Sequence, residues 1–266
     1  MMPDPAGGLP PPRDLPQALA LLARREQELA ALRASQEDWT RALSHDLRAP
    51  LRHITSYAPL LRETLHAAGL QGPDAQDAEQ FLGVMEQGAR RMGCMLDGVL
   101  ELARMQRARP QLQSVDLAQL AGQAWAALMA AEPAAAQAQW QLPASPVPLQ
   151  ADPQLLRPLL AALLDNAFKF SRGRPLPRIR LEAEALPGGG LRWQVEDNGV
   201  GCDGTRAHQA FGLFQRLHRE SEFDGVGVGL ALAQTAAHQQ GADIALHSAP
   251  GQGCRVELRW PAPAPA

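Results

Sequence analysis

Two adjacent residues on a predicted helix, His45 and Asp46, form the first group that could do chemistry. At 100° per residue, His45 points away from Leu43 and Leu47, which belong to an apolar stripe, so its imidazole faces water. An exposed imidazole can act as a nucleophile at neutral pH, and Asp46 could accept the proton from one ring nitrogen while the other attacks. Because a surface histidine on a helix usually has no function, the pair predicts a nucleophile only together with other groups.

The second group lies at the end of an apolar helix, in residues 163–171 (LLDNAFKFS). Asn166 and Lys169 are three residues apart and therefore share a helix face. An amide oxygen can ligate Mg²⁺, and an ammonium suits a phosphate group as a point charge. Lys169 is the single lysine of the chain, and Asn166 is one of its two asparagines. The alternative interpretation is an ordinary polar helix face.

The third group follows a predicted strand directly, in residues 197–201 (DNGVG). The carboxylate of Asp197 can accept a hydrogen bond from an exocyclic amine, and Gly199 and Gly201 let the backbone approach a flat ligand. A tight turn would explain the same residues without any ligand.

The fourth group, residues 224–230 (DGVGVGL), runs into a predicted helix and contains Gly225, Gly227 and Gly229. The backbone N–H groups of such a loop, together with the helix N-terminus, can hold phosphate groups. Glycines at this spacing are weak evidence alone. They do not fit the dinucleotide-binding fingerprint, because an irregular polar loop precedes them where that fingerprint needs a strand.

Two apolar stripes with 4-3 spacing predict two long helices in the first part of the chain. Gly69 and the Gly72-Pro73 pair separate them, so the helices form an antiparallel hairpin. A single hairpin leaves its stripes half exposed, whereas two hairpins bury them in a four-helix bundle, and we therefore expect a homodimer. The first stripe contains Leu15, Leu19, Leu22, Leu29, Leu43, Leu47, Ile54 and Leu61, with polar interruptions at Glu26, Arg33, Gln36 and Thr40; the second contains Phe81, Met85, Gly88, Met92, Met95, Val99 and Leu102.

After Arg109-Pro110 the pattern changes to short strands and shorter helices, which predicts an α+β layer of sheet and helices. Residues 201–225 are polar and rich in glycine, and we expect them to be irregular. The predicted elements are a short strand and a helix over 115–131, strands over 139–142 and 147–150, a helix over 153–170, a hairpin of strands 178–186 and 191–196, a helix over 228–240, and strands over 242–247 and 255–260.

Composition excludes several classes of protein. The formal net charge is -3, so a basic nucleic-acid footprint is not expected. No run of 18 apolar residues predicts a membrane span, and the N-terminus does not read as a secretory signal. Three widely spaced cysteines, Cys94, Cys202 and Cys254, indicate reduced thiols in a cytoplasmic protein and argue against a disulfide framework or a zinc site.

The order and spacing of these groups resemble the catalytic core of sensor histidine kinases of two-component systems. SHDLRAPL resembles the phosphoacceptor box of that family, LLDNAFKFS its N box, and EDNGVG, DGVGVGLAL and PGQGC its three glycine boxes, while AFGLFQRLH resembles its lid. The sequences of these motifs are most similar to those of the bacteriophytochrome-like branch, and the resemblance covers about residues 35–262. It implies a helical dimerisation and phosphoacceptor domain over 15–109, followed by an α/β-sandwich ATP-binding domain of the GHKL type over 110–262.

The resemblance also implies roles for the first two groups. His45 would take the γ-phosphoryl group from ATP, with Asp46 as its base, and would pass it to an aspartate in the receiver domain of a response regulator. Asn166 would hold Mg²⁺, and Lys169 would contact the phosphates.

For the nucleotide itself, the resemblance implies that Asp197 binds the adenine amine, with Gly199 and Gly201 beside the base. Phe214 and Arg216 would order the lid. The residues that would line the triphosphate are Gly225, Gly227 and Gly229.

Two positions depart from the family pattern. Ala162 stands where the N box usually begins with another asparagine, so one polar contact to the nucleotide is missing. Ala49 stands three residues after the proposed base, where many relatives have a threonine or asparagine that helps to dephosphorylate the partner.

Two alternative functions remain open at this stage. One is another ATPase of the same fold, such as a chaperone, topoisomerase or mismatch-repair protein, but it leaves residues 44–51 unexplained. The other is a non-catalytic dimeric scaffold with a decayed ATP site, which only Ala162 favours. Residues 1–34 are too short for a sensor domain, so either the chain is a fragment or it senses through its N-terminal coiled coil, a partner or another chain. Residues 1–14 are predicted to be disordered, and residues 263–266 to form a tail.

Overall fold

A computed structural model of the chain describes residues 14–69, 71–219 and 222–262. The predicted disordered segment lies outside these ranges except for Asp14, and the predicted tail lies outside them entirely. Several side chains of the first helix, including the stripe positions 29, 33, 36, 40 and 43, are also outside the description. By its internal contacts the chain divides into two units after Leu47.

Two long helices form the first part of the described chain, as the 4-3 stripes predict. Helix α1 is Leu15–Ala67 and continues through its two prolines, Pro50 and Pro59, and α2 is Pro73–Arg107. The connection contains Gly69 and Gly72, both with positive φ (67° and 90°), a conformation that glycine adopts without steric cost. Pro73 then begins α2 at a position where its missing N–H has no helical partner.

The facing sides of α1 and α2 are held by small apolar side chains and by an ion pair. Ala58, Leu82 and Ala89 are almost fully buried, and Arg62 on α1 pairs with Glu86 on α2. The predicted 4-3 stripe of α2 lies elsewhere on the helix; its first half is exposed, with Met85 at 52%, and Met95, Val99 and Leu102 are half-buried. One hairpin therefore leaves apolar side chains in water, which is the arrangement that a second hairpin would cover.

The remaining elements lie within two residues of the predicted limits. They are β1 (Gln113–Asp116), α3 (Leu117–Ala131), β2 (Gln139–Gln141), β3 (Pro148–Ala151), α4 (Pro153–Ser171), β4 (Arg178–Ala185), β5 (Leu191–Asp197), α5 (Gly229–Gln239), β6 (Asp243–Ser248) and β7 (Cys254–Trp260).

Part of the segment predicted to be irregular is helical. A 3-10 helix spans Gly204–Phe211, because the carboxylate of Asp203 accepts hydrogen bonds from the backbone N–H and the hydroxyl of Thr205 and so caps its first turn. A second 3-10 helix, Pro133–Gln137, was not predicted either. Both are short, and neither carries the periodic apolar pattern by which a helix is predicted.

The strands form two sheets. β1 pairs antiparallel with β3, and a larger sheet has the order β2-β4-β5-β7-β6. In the larger sheet β2 runs parallel to β4, and all other neighbours are antiparallel. Together with the helices, this confirms the predicted α+β class.

One face of the larger sheet is covered by helices. Helix α4 begins after Asp152, whose carboxylate accepts from the N–H of Gln154, and it buries six leucines completely or almost completely. Their partners in the sheet include Ile179, Leu181, Trp193 and Leu258, which are also buried. Burying a leucine side chain contributes about 1.5–3 kcal/mol, so this layer holds α4 firmly on the sheet. The C-terminal half of α4 is thereby placed beside the end of β5 and the start of α5.

Candidate functional site

A cavity of about 210 Å³ opens where α4, the end of β5 and the start of α5 meet. Three of the four groups that the sequence indicates line this cavity, although they are far apart in the chain. The predicted site residues in its lining are Asn166, Lys169, Asp197, Gly201, Arg216, Gly225, Gly227 and Gly229.

The polar face of α4 forms one wall. Asn166 and Lys169 both line the cavity, and a Cβ built on Gly229 would lie 3.6 Å from Nδ2 of Asn166 and 3.7 Å from Cβ of Ala162. The ammonium of Lys169 lies 4.6 Å from the ring centroid of Phe170. Burial lowers the pKa of Lys169, and the nearby charge of Asp165 partly offsets that effect. A half-buried ammonium without a salt bridge in the described chain is suited to receive an anion.

Asp197 lies at the end of β5 and is buried. Its Oδ1 accepts a hydrogen bond of 2.7 Å from the N–H of Gly199. Burial raises the pKa of Asp197 to about 6, against the lowering effect of backbone hydrogen bonds from Gly199 and Cys254. A carboxylate at an otherwise apolar end of a cavity can accept a hydrogen bond from an amine of a flat ligand.

Gly201 is required by the packing of two backbones. It has φ +63°, and a Cβ built on it would lie 2.0 Å from the carbonyl oxygen of Ala249. Gly199 does not line the cavity, because its N–H is turned toward Asp197 and its other neighbour is the carbonyl of Phe170. Gly199 therefore donates a hydrogen bond to the Asp197 carboxylate and does not form part of the cavity surface.

The described residues of the loop before α5, 212–219 and 222–228, form another side of the cavity. Arg216 donates one hydrogen bond of 2.6 Å to the carbonyl of Gly225 and another to the carbonyl of Phe223, so its guanidinium ties the loop together. The N–H of Phe214 donates to the carbonyl of Gly227 at 2.8 Å. Phe214 itself has φ +63°, is partly exposed and does not line the cavity.

Several lining residues were not among the predicted site residues. Phe170, His218 and Phe223 form an aromatic cluster with ring centroids 4.9–5.2 Å apart, and burial lowers the pKa of His218. AFGLFQRLH includes His218, but nothing local predicts that it meets Phe170. All three rings line the cavity, and a hydrogen bond between the His218 imidazole and the Gly201 backbone partly offsets the lowering of the His218 pKa.

Two of the three widely spaced cysteines meet at the cavity. Cys202 and Cys254 both line it, and both neighbour Ser248, whose hydroxyl accepts from the N–H of Cys202 and whose strand position is paired with Cys254. Burial raises the pKa of the Cys254 thiol, which keeps it protonated and unreactive. All three cysteines are free.

His45 and Asp46 belong to the first unit and are both exposed, the imidazole at 88%. Nδ1 of His45 lies 3.1 Å from Oδ1 of Asp46, within hydrogen-bonding distance. Nε2 has no partner in the described part of the chain. If Nδ1 carries the proton and donates it to Asp46, the lone pair of Nε2 is free to attack an electrophile.

The donor set of the cavity fits a magnesium ion that enters with a phosphorylated ligand. No cluster of three or more His, Cys, Asp or Glu side chains in the described residues could hold a metal by itself. The amide of Asn166 lines the cavity without a hydrogen-bond partner there, and it offers one hard oxygen. Mg²⁺ is commonly held by one or two protein oxygens together with phosphate oxygens and water.

The arrangement separates the cavity into two chemical environments. Around Asp197 the lining is mainly apolar, with Val195, Leu246 and Val256, which suits a flat heterocycle. At the other end lie the amide of Asn166, the ammonium of Lys169 and the glycine-rich loop before α5, which suit phosphate groups and a cation. A purine nucleotide with its phosphates has this combination of parts.

Comparisons with known proteins agree with this geometry. Residues 35–108 match the family described as His Kinase A (phospho-acceptor) domain. Residues 151–264 match the family described as histidine kinase-, DNA gyrase B-, and HSP90-like ATPase. The first match includes His45, α1 from residue 35 onward and all of α2, and the second includes the residues that line the cavity.

Similar curated proteins include a phytochrome-like protein and a regulatory histidine kinase. The chain is 29% identical over 242 residues to phytochrome-like protein Cph1 of Synechocystis sp., covering 88% of this chain and 31% of Cph1. It is 29% identical over 263 residues to the methanogenesis regulatory histidine kinase FilI of Methanothrix harundinacea, covering 94% of this chain and 27% of FilI. The chain thus spans about a third of the length of these relatives.

A solved structure is similar over most of the chain. The crystal structure of full-length ShkA in complex with AMPPNP matches with a TM-score of 0.58 and 26% identity, covering 86% of this chain and 47% of ShkA. No helix among the described residues is long and apolar enough to cross a membrane. The chain thus carries a histidine kinase phospho-acceptor domain followed by a histidine kinase-like ATPase domain.

Proposed function

We propose that this chain is an ATP-dependent kinase that phosphorylates its own His45 and passes the phosphoryl group to an aspartate of a response regulator. The observation that carries the proposal is the exposed imidazole of His45, held through Nδ1 by Asp46, in a chain whose second part has the two-ended cavity. The scaffold alternative explains neither group.

ATP is the proposed ligand of the cavity. Asp197 accepts a hydrogen bond from the adenine amine, and Gly201 gives the base a flat backbone surface. Lys169 contacts the phosphates, whose other contacts are N–H groups of the loop containing Gly225 and Gly227 and of Gly229 at the start of α5. Phe214 and Arg216 order that loop, and the hydrogen bonds of Arg216 to its carbonyls support this role.

Asn166 is proposed to hold Mg²⁺ through its amide oxygen. A Mg²⁺ ion held there would supply neutralisation of the negative charge on the phosphate oxygens. Lys169 adds a second positive charge on the same helix face, so the chain itself supplies part of the neutralisation.

The first reaction step is attack of Nε2 of His45 on the γ-phosphorus of ATP. The N–P bond forms, the bond from phosphorus to the β–γ bridging oxygen breaks, and ADP leaves. The imidazole would then carry two substituents and a positive charge, which Asp46 relieves by accepting the proton of Nδ1. In the second step Asp46 returns the proton to Nδ1, the carboxylate of a receiver-domain aspartate attacks the same phosphorus, and the N–P bond breaks to leave a neutral His45 imidazole.

The domain limits, oligomer and location are proposed with the function. Residues 15–109 form the dimerisation and phosphoacceptor domain of a homodimer, and residues 110–262 form the ATP-binding domain. The exposed apolar stripe of α2 supports the homodimer. A response regulator and a reduced thiol state both fit the cytoplasm.

The experiment is labelling with γ-³²P-ATP and Mg²⁺, followed by tests of bond stability. The unmodified protein should acquire a label that is labile to acid and stable to base, as phosphohistidine is. His45→Ala should remain unlabelled, whereas His53→Ala, which removes another exposed imidazole of α1, should label normally. Asp46→Asn should label about 10²-fold more slowly with an unchanged KM for ATP, because it removes only the base.

Addition of a purified receiver domain tests the second step. The label should move from His45 to that domain, and it should not move when the receiver aspartate is replaced by alanine. An unlabelled but folded and dimeric wild-type protein would contradict the kinase proposal and favour a scaffold.

A further inference from the structure

Helix α2 of the hairpin packs against α5 of the ATPase part, and the contact begins at a glycine. Gly98 is buried, and a Cβ built on it would lie 2.6 Å from Cγ1 and 2.8 Å from Cγ2 of Val228. Real Cβ atoms do not approach other carbon atoms so closely. Only the missing side chain at residue 98 therefore lets Val228 lie directly against the helix backbone.

Val228 connects this contact to the cavity. It is buried, it is the residue that precedes α5, and it lines the cavity together with Gly227 and Gly229. Val228 has one side against the helical hairpin and the other against the proposed nucleotide site. A shift of α2 by a few tenths of an ångström should displace Val228, because its branched side chain has restricted rotamers and lies directly against α2 in a close-packed contact.

The rest of α5 is fixed by contacts on the same side. The amide of Gln239 donates to the carbonyl of Gln106 near the end of α2, and Met105 is buried in the core of the ATPase part. At the far end of α5, Gln240 accepts from the N–H of Asp152, whose carboxylate also accepts from Gln111 in the segment after α2. α5 is therefore held against α2 and the segment after α2 at both of its ends.

The geometry points to Gly98 as a positioning residue for the nucleotide site. We propose that the cleft at Gly98 seats Val228, so that the position of α2 sets the position of the loop before α5 and with it the affinity for ATP. The inference rests on the proposed nucleotide binding. By linkage, bound nucleotide must in turn favour the seated position of α2 by the same factor.

The sharpest test compares two glycines of the same helix. Gly93 is five residues before Gly98, and a Cβ built on it meets nothing within 4 Å. Replacing either glycine by alanine gives the same gain in helix propensity, so any difference between the variants comes from the contact with Val228. Both variants are made in the full chain, and circular dichroism establishes that each is folded.

The first measurement is amide hydrogen exchange without nucleotide. Gly98→Ala should raise exchange severalfold in residues 225–232, while Gly93→Ala leaves that segment as in the unmodified protein. Adding Val228→Ala to Gly98→Ala removes the two methyl groups that clash, and it should restore protection. Equal exchange in the two glycine variants would overturn the seat at Gly98.

The second measurement is the affinity for a fluorescent ATP analogue. Gly98→Ala should bind the analogue at least about fivefold more weakly than Gly93→Ala. When Val228→Ala is measured alone and together with Gly98→Ala, the changes in binding free energy of the two substitutions should not add. Equal affinities in the two glycine variants would overturn the coupling and leave the proposed function standing. If the unmodified protein binds no nucleotide, the proposed function and the coupling both fail, while the exchange experiment still decides the contact.

Discussion

The guanidinium of Arg62 on α1 faces the carboxylate of Glu86 on α2, with nitrogen–oxygen distances of 3.2 and 3.3 Å in a two-pronged arrangement. The side chain of Glu86 is only 10% exposed, whereas Glu79, which also contacts Arg62, is 47% exposed. The hairpin thus has one buried and one surface partner for the same arginine, and this pairing fixes which residues of the two helices face each other.

Glu86→Ala should lower the free energy of unfolding of the hairpin by about 1–2 kcal/mol. A fully buried pair costs about 3–5 kcal/mol when one partner is removed, but Arg62 keeps some access to water and the cost is reduced accordingly. Glu79→Ala is the matched control and should have little effect, since exposed ion pairs are weak. Chemical unfolding followed by circular dichroism measures both. Equal effects of the two substitutions would contradict a special role for the buried carboxylate.

Met85→Glu should convert the protein from a dimer to a monomer at micromolar concentration. Met85 belongs to the exposed 4-3 stripe, and burying a carboxylate in the dimer seam is costly. Val84→Glu is the control, because Val84 is also exposed, at 62%, but lies off the stripe. Light scattering coupled to size exclusion gives the mass of each. A dimer that survives Met85→Glu would place the interface elsewhere.

Nucleotide binding should weaken as the pH falls below about 6. Burial raises the pKa of Asp197 to about 6, so the carboxyl becomes protonated as the pH falls below that value. A protonated carboxyl carries an O–H donor, which faces the N–H donors of the adenine amine in place of an acceptor. Because this folded-state pKa lies above the ordinary value, protonation of Asp197 stabilises the nucleotide-free fold as the pH falls through 6. Binding titrations from pH 5 to 8 should show the loss in the unmodified protein, and Asp197→Asn should bind weakly with a flat profile. A flat profile in the unmodified protein would be inconsistent with this role.

Lys169→Arg should weaken ATP binding by about tenfold or more, equivalent to ~1.4 kcal/mol, although the charge is kept. The ammonium lies in a narrow place, 3.3 Å from a Cβ that would be built on Gly225, and a planar guanidinium cannot replace a compact point charge there. Arg157→Lys, an exchange of the same two residue types at an exposed position of α4, should have no effect. Calorimetric titration with ATP and Mg²⁺ measures both, and wild-type affinity in Lys169→Arg would refute the argument.

Local patterns were sufficient to predict most of the fold. The alternating residues on either side of Pro187 and the three glycines that follow it indicate the β4–β5 hairpin, and the structure has that hairpin with strand ends displaced by one residue. The apolar residues before Asn166 predict α4 in the same way, because their helical spacing is evident within a short stretch of sequence. The formation of such elements depends mainly on residues that are close in sequence, and the sequence alone therefore predicts them.

Contacts between distant segments were not predictable in this way. Cys202 and Cys254 looked unrelated, yet the register of β6 on β7 brings both to Ser248. The contact of Gly98 with Val228 joins residues 130 positions apart, and a glycine within a helix carries no signal of what packs against it. The same distinction applies to the candidate site. The sequence indicates which site residues each element carries, but the aromatic cluster around His218 depends on how the elements pack together.

The single lysine of the 266 residues lies in the wall of the cavity, half-buried, with its pKa lowered. More of its amine is uncharged near neutral pH than in an ordinary surface lysine, and the uncharged amine is the form that acylating reagents attack. An amine-directed reagent therefore has one ε-amino target in this sequence. One acyl adduct on Lys169, located by mass in its own peptide and so separated from an adduct on a terminal α-amine, records whether the cavity is occupied.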